Sequence, residues 1–240
     1  MRTNKDFAVN LSDDDLRRMV IFRCAEGLIS PEDKMRLFGD GLLQADRDLH
    51  CLSEYELEQT VKALLKPSRV AHVLGCRDTA VRLAKKWGAD ETDAARAALL
   101  HDVTKALDGP LQLTLCKAYG IILDVFSMEN PKTLHALTGS LVAERVFGEK
   151  PEVVAAIRSH TTGKADMNML EKIIYVADYM EPNRNFDGVE ALRELADTNI
   201  DKALKLGLEM TISMLIEQGR EIAPASQQAL AFLEKGNELC

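Results

Sequence analysis

Apolar residues recur at intervals of three and four along nearly the whole chain, and no stretch alternates with the two-residue period of a half-buried strand. Aromatic and β-branched residues do not gather as strands prefer, so the pattern predicts an all-α protein. Ser12 with Asp15 forms a capping arrangement ahead of a first helix that Gly27 can stop, and Ser30-Pro31 opens a second. Ser53 with Glu56 forms a capping box ahead of a third, which Pro67 ends. Residues 1–66 thus read as a helical N-terminal extension whose pattern reveals no role. Residues 67–240 read as one helical domain without repeats or a low-complexity linker.

Within that domain the apolar faces carry a few polar exceptions. The stretch 68–88 is a helix with Val70, Val73, Val81 and Ala84 on its apolar side and Gly88 closing it. His72 sits beside the stripe, with Gly75 and Cys76 one turn further on. The glycine leaves room above the backbone for a ligand, or for a closely packed helix. The run 91–107 is apolar nearly all round and predicts a central helix, on which Ala94, Ala97, Ala98, His101 and Lys105 share a face and Asp102 lies about 100° away.

Further along, His135, Thr138, Gly139 and Val142 share one face. His160 ends the helix that Pro151 starts. The Thr161-Thr162-Gly163 turn after it offers hydroxyl and NH groups to an anion, or simply caps the helix. Leu170, Ile174, Ala177 and Asp178 fall on one side of a helix that Pro182 closes, leaving Arg184 in the loop beyond.

A polar group left unpaired in such a helix costs about 1–3 kcal/mol. Separate histidines bonded to neighbouring carbonyls would meet that cost one by one. The recurrence of four of the five histidines in apolar stretches, with an adjacent His-Asp pair and a late Asp, points instead to a shared cation. Nitrogen and oxygen donors together suit Fe, Mn, Co, Zn or Ni, and the lack of a nearby cysteine pair argues against a closed structural zinc site.

The net charge of −8 and pI near 5.2 oppose binding to a nucleic acid polymer, while an anionic small molecule is compatible with a few basic residues in a pocket. Five scattered cysteines without a CxxC, and an N-terminus without an apolar run, point to a reducing cytoplasm. No segment approaches the roughly 18 apolar residues that span a bilayer, so no membrane anchor is expected.

The order His…His-Asp…Asp resembles the HD-domain metal-dependent phosphohydrolases. The strings HVLG (72–75), HDVTK (101–105), LHALTGS (134–140), IRSHTTG (157–163) and IIYVADYMEPNR (173–184) resemble one branch, the bacterial symmetrical diadenosine tetraphosphate hydrolases. The similarity spans about residues 66–235 and leaves the N-terminal extension untouched. Cys76 and Val103-Thr104 depart from the usual pattern, and neither removes a ligand.

The resemblance implies an HD-domain helical bundle that uses a metal-activated water to hydrolyse diadenosine tetraphosphate symmetrically to two ADP. Iron, as one or two ions, is the implied cofactor, with Mn or Co as substitutes. His72, His101, Asp102 and Asp178 become the core ligands. His135 and His160 either hold a second ion bridged by Asp102 or contact substrate phosphates. Asp102, Lys105, His135 and His160 are the catalytic set. Lys105 and Arg184 are phosphate contacts, Thr161 serves phosphate or ribose, and Gly75 borders the substrate. The segment Glu221, Ile222, Ala223, Pro224, Ala225 and Ser226 lies near the base. A dinucleoside polyphosphate is the expected partner, and a homodimer is compatible with the sequence. Another HD-type phosphatase or phosphodiesterase, or a non-catalytic nucleotide sensor, are the competing functions.

Overall fold

The computed structural model describes residues 12–18 and 48–237; the helix stop expected at Gly27 and the start at Ser30-Pro31 lie outside them. Among the described residues there are only helices and turns, as the apolar spacing predicts. A helical stretch at 13–18 starts from Ser12, whose side chain accepts from the Asp15 backbone NH while the Asp15 carboxylate accepts from the Ser12 NH. Ser53 and Glu56 make the expected reciprocal box at the head of α1 (Glu54–Leu64).

Four helices close into a ring that frames the rest. They are α2 (Pro67–Trp87), α3 (Glu91–Leu100), α7 (Pro151–Ser159) and α8 (Met169–Met180). Each packs on the next, and α8 returns to α2. Between them run α4 (Gly109–Ala118), α5 (Val125–Glu129), a 3-10 turn at Pro131–Thr133 and α6 (His135–Arg145), which lies on α7. After the ring come α9 (Val189–Thr198), α10 (Ile200–Glu217) and α11 (Pro224–Asn237), with α10 against α8 and α11 against α10. Ala94, Ala97 and Ala98 are fully buried on α3, where their small side chains let α2 and α7 come close. No helix of the described residues is long and apolar enough to cross a membrane.

One expectation changes on contact with this architecture. The helix expected through residue 107 stops at Leu100. Beyond it, Val103 NH bonds Leu100 O, Lys105 NH bonds Asp102 O and Leu107 NH bonds Thr104 O, an i to i−3 pattern that tightens the chain. The common face expected for His101 and Lys105 is therefore lost: His101 faces His72, while Lys105 faces His135.

The described part of the N-terminal extension packs against the same core. Leu16, Leu49, Leu57, Val61 and Leu64 belong to the same buried cluster as α3 and α7, and α1 packs directly on α3. Arg96 of α3 forks onto Glu149 at 2.6 and 2.8 Å and bonds Leu52 O at 2.7 Å. The boundary expected at residue 66 thus falls between two helices that share one core.

Candidate metal centre

Four imidazoles stand in a row inside the ring, in the order His72, His101, His160, His135, with neighbouring centroids 5.4, 5.0 and 5.0 Å apart. His72 comes from the middle of α2. His101 caps the C-terminus of α3, His160 caps the C-terminus of α7, and His135 opens α6. All four are buried, and Asp102 lies under the row at 1 % exposure.

The tautomers follow from the partners. Nδ1 of His101, His135 and His160 each meets the carbonyl three residues back, Ala98, Lys132 and Ile157, at 2.6–2.7 Å. A carbonyl only accepts, so each Nδ1 carries a proton, and the neutral form of each ring presents its lone pair at Nε2. His72 Nδ1 donates likewise to Glu181 Oε1 at 3.1 Å. The exposed lone pairs then confront one another. His72 Nε2 is 3.3 Å from His101 Nε2 and 3.1 Å from Asp178 Oδ1, and His135 Nε2 is 3.1 Å from His160 Nε2.

Asp102 divides the row. Its Oδ2 faces His101 and His72 at 3.5 and 3.7 Å, and its Oδ1 faces His135 and His160 at 3.4 and 3.8 Å. Oδ1 is buried without a hydrogen-bond partner among the described residues, its nearest cation being the Lys105 ammonium at 3.4 Å. Acceptors converging on acceptors, with a carboxylate oxygen between them that no hydrogen bond satisfies, fit a cation. Three overlapping triads have ligand atoms close enough to share an ion: His72-His101-Asp102, His101-His160-Asp178 and Asp102-His135-His160.

The electrostatics differ along the row. Burial alone would raise the Asp102 carboxyl, but His101, His160 and Lys105 hold it well below the usual carboxylate range. Asp178 is also lowered, by His72 and His101 against burial. His101 is raised, since Asp102 and Asp178 outweigh its burial. His135 is pushed down to about 3 by burial, then by His160 and Lys105. Lys105 Nζ donates to His135 Nε2 at 2.9 Å, and the Thr161 hydroxyl lies 3.1 Å from Nε2 of both His135 and His160.

Residues 69–183 match the HD domain. The chain is 41 % identical over 167 residues to the symmetrical bis(5'-nucleosyl)-tetraphosphatase of Halalkalibacterium halodurans, covering 69 % of this chain and 89 % of that relative. The chain belongs to this HD-domain family. A Bacillus subtilis protein of the same name is 35 % identical, with 74 % of this chain and 95 % of that one covered. The fold is shared with a crystal structure from Clostridium acetobutylicum, described as a predicted HD superfamily hydrolase involved in NAD metabolism. It matches at TM-score 0.75 and 37 % identity, over 77 % of this chain and 98 % of that chain. As an HD-domain hydrolase, the chain carries its histidine row where a divalent metal can be held.

Set against that family frame, the sequence-expected residues fall into three groups. His72, His101, Asp102, Lys105, His135, His160, Thr161 and Asp178 are together around the row. Arg184 is at its rim, bonding Asp178 Oδ1 at 2.8 Å and Asp178 O at 2.9 Å. The 221–226 segment is one layer out. Ser226 Oγ bonds Thr162 O at 2.7 Å, Glu221 meets Asn130 Nδ2 at 3.4 Å, and Ala223, Pro224 and Ala225 line a cleft with Phe126 and Arg158. Ile222 borders a more open groove on the far side of Pro224.

Gly75 is a correction. A Cβ there would lie 2.5 Å from Glu181 Oε2, so the room above its backbone is filled by the protein and holds no substrate. The turn after His160 is also partly spent, because Gly163, at φ 67°, gives its NH to Ser159 O.

Two charged residues at the site are not among those the sequence reading singled out. Arg69 Nε reaches Asp102 Oδ2 at 3.0 Å, and Glu181, 1 % exposed, anchors His72. Arg69 stands three positions before His72, a spacing that puts it one helical turn away on the same side. That was the available signal, but surface arginines at such spacings are common. Behind His135, Thr104 Oγ1 donates to His135 O at 3.0 Å and lies 2.9 Å from Thr138 Oγ1, whose hydroxyl contacts Gln112 Oε1 at 2.6 Å. These buried contacts fix the 101–107 turn against α6.

Proposed function

We propose that this chain hydrolyses diadenosine tetraphosphate at its central anhydride to give two ADP, with one iron ion as cofactor and Mn or Co as substitutes, in the cytoplasm. The supporting observation is the two-sided seating of Asp102 in a histidine row, in a chain whose relatives carry the name of that activity. The mixed nitrogen and oxygen donors suit a borderline cation such as iron.

His72, His101, Asp102 Oδ2 and Asp178 would hold the ion. When bound, the cation supplies Lewis acidity toward phosphoryl oxygens and a nucleophilic water near neutral pH. His135 and His160 are assigned to positioning the Lys105 ammonium and the Thr161 hydroxyl toward the phosphoryl group and not to a second ion, because the ammonium already sits 2.9 Å from His135 Nε2 and repels another dication, and a bare imidazole lone pair does not itself bond a phosphoryl oxygen. With His135 neutral and Lys105 and Thr161 beside it, this end of the row offers cationic and hydroxyl donors to an anion as charge develops.

A cavity of about 290 Å³ lined by Leu65, Lys66, Ser68, Arg69, Lys105 and Ala106 opens next to Lys105 and gives the polyphosphate a cationic path away from the reacting phosphorus. Arg184, paired with Asp178, holds that ligand in place and borders the substrate on the other side. Thr161 serves the phosphate, and the 221–226 segment, joined to Thr162 through Ser226, is the seat of a base.

Anaerobic incubation of the iron-loaded protein with diadenosine tetraphosphate, with nucleotides resolved by ion exchange, tests this reading. Two ADP per substrate is the expected result. ATP plus AMP would overturn the symmetry, and unchanged dinucleotide with phosphate released from mononucleotides would move the chain to another HD-type reaction. Two tightly held iron ions per chain would overturn the assignment of His135 and His160.

A further inference from the structure

Three of the four row histidines anchor Nδ1 on a carbonyl of their own turn, each at a helix end, where carbonyls lie outside the regular helical ladder. His72 cannot. It lies in the interior of α2, where the carbonyls three and four residues back are inside the helix, so its Nδ1 proton needs an acceptor from elsewhere. That acceptor is Glu181, from the turn that ends α8, more than a hundred residues away in the chain.

The Glu181 carboxylate is held from several directions. Oε1 takes the His72 proton, with Arg184 Nε at 3.9 Å. Oε2 accepts from the Asn183 backbone NH at 2.7 Å and from Asn183 Nδ2 at 2.8 Å. Asn183 Nδ2 also reaches Ala71 O at 3.1 Å, which ties the turn to α2 beside His72. For Oε2 to occupy this place α2 must be bare one turn after His72, and it is. A Cβ on Gly75 would stand 2.5 Å from Oε2, 3.1 Å from Asn183 Nδ2 and 3.3 Å from Pro182 Cδ.

We propose that Gly75 and Glu181 act as one device: the missing side chain of the glycine is the seat of a carboxylate that orients His72, and the pair thereby sets the affinity of the centre for its cation. Glu181 is a positioning residue and touches no substrate. By accepting the Nδ1 proton it fixes the tautomer that leaves Nε2 free to ligate, and it raises the basicity of that nitrogen, as carboxylates behind ligating imidazoles do. The inference rests on the cation reading above and is independent of which phosphate ester is cleaved.

Binding of Co²⁺ to the full chain, measured by competition with a chromophoric chelator, tests the pair without reference to turnover. Glu181→Gln and Gly75→Ala are each expected to weaken Co²⁺ by about 10–100-fold, the range seen when an orienting partner of a ligand is lost. The double variant is expected to bind within about threefold of the weaker single one, because both changes remove the same contact.

Losses that multiply in the double variant, or a Gly75→Ala chain that binds like wild type, would overturn the proposal. Thermal melting of the cation-free proteins reports folding. If Gly75→Ala or Glu181→Gln fails to fold, Glu181→Asp takes its place; its carboxylate keeps the charge but stops about 1.5 Å short of His72, and wild-type affinity there would overturn the pair. A wild-type chain that takes up no Co²⁺ overturns the cation reading and the pair together, whereas normal uptake by wild type and Gly75→Ala alike overturns the pair alone.

Discussion

At the His72 end of the row the imidazoles face carboxylates, with Asp178 at 3.1 Å from Nε2 and Glu181 behind the ring; at the His135 end they face the Lys105 ammonium and the Thr161 hydroxyl. Both ends use the same residue type and share Asp102, so the contrast comes from the surroundings. Under the proposed function, one end keeps a cation and the other receives an anion. An imidazole takes either task according to the charge set beside it.

The largest effect should come from the residue that serves both ends. Asp102→Ala is expected to lower cation affinity by more than about 100-fold, beyond the range for an orienting partner alone, and to abolish hydrolysis. Chelator competition and product chromatography would measure both, and retention of tight cation binding would break the division of the row at Asp102.

The next variants separate the ends. His72→Ala should lose the cation. His135→Ala should keep it and lose turnover on the order of 100-fold, the scale for removing one group aimed at developing charge. If the two variants bind Co²⁺ equally poorly, the ends do not differ in task.

A smaller effect lies in acid stability. The folded chain holds His135 at about 3 against an ordinary 6.5, so between those values the unfolded chain takes up a proton that the folded chain refuses. Stability of the cation-free protein should therefore fall as pH drops from about 6.5 toward 3, by up to about 1.4 kcal/mol per pH unit from this group. The lowered Asp102 and Asp178 contribute stability above the unfolded carboxyl value and lose it as pH falls further. His101, raised, works oppositely, lending stability below its unfolded value that fades as pH rises through its folded one. Urea unfolding at pH 7, 5.5 and 4 should show a shallower slope for His135→Gln than for wild type, and equal slopes would sink the assignment.

The smallest effect on the chemistry is expected from Leu57→Ala. It should cost about 2–5 kcal/mol of stability, as for other leucines emptied from a core, and leave turnover of the folded protein unchanged. A change in cation affinity there would mean that α1 reaches the row.

The row was legible because histidine and aspartate are conspicuous inside apolar helices, and because helical spacing places them before any partner is known. His72, His101, His135 and His160 each stood out in this way. Glu181 and Arg69 did not, since charged residues are common near helix ends and their meaning lies in partners far along the chain. The early end of α3 was hidden for another reason. Residues 101–107 keep a helical pattern of side chains while their hydrogen bonds shift by one, and no side-chain pattern reports that shift. Gly75 offered two readings that sequence could not separate, and packing decided between them.

His101 and His160 are the residues on which α3 and α7 come to an end. A helix accumulates roughly half a unit of negative charge at that terminus, so two backbones converge on the row with the polarity that attracts a cation, while α6 begins at His135 with the opposite one. The main chain itself therefore lays a voltage along the row. Exchanging any single imidazole leaves that gradient standing, favouring a cation as far as His160 and an anion only at His135.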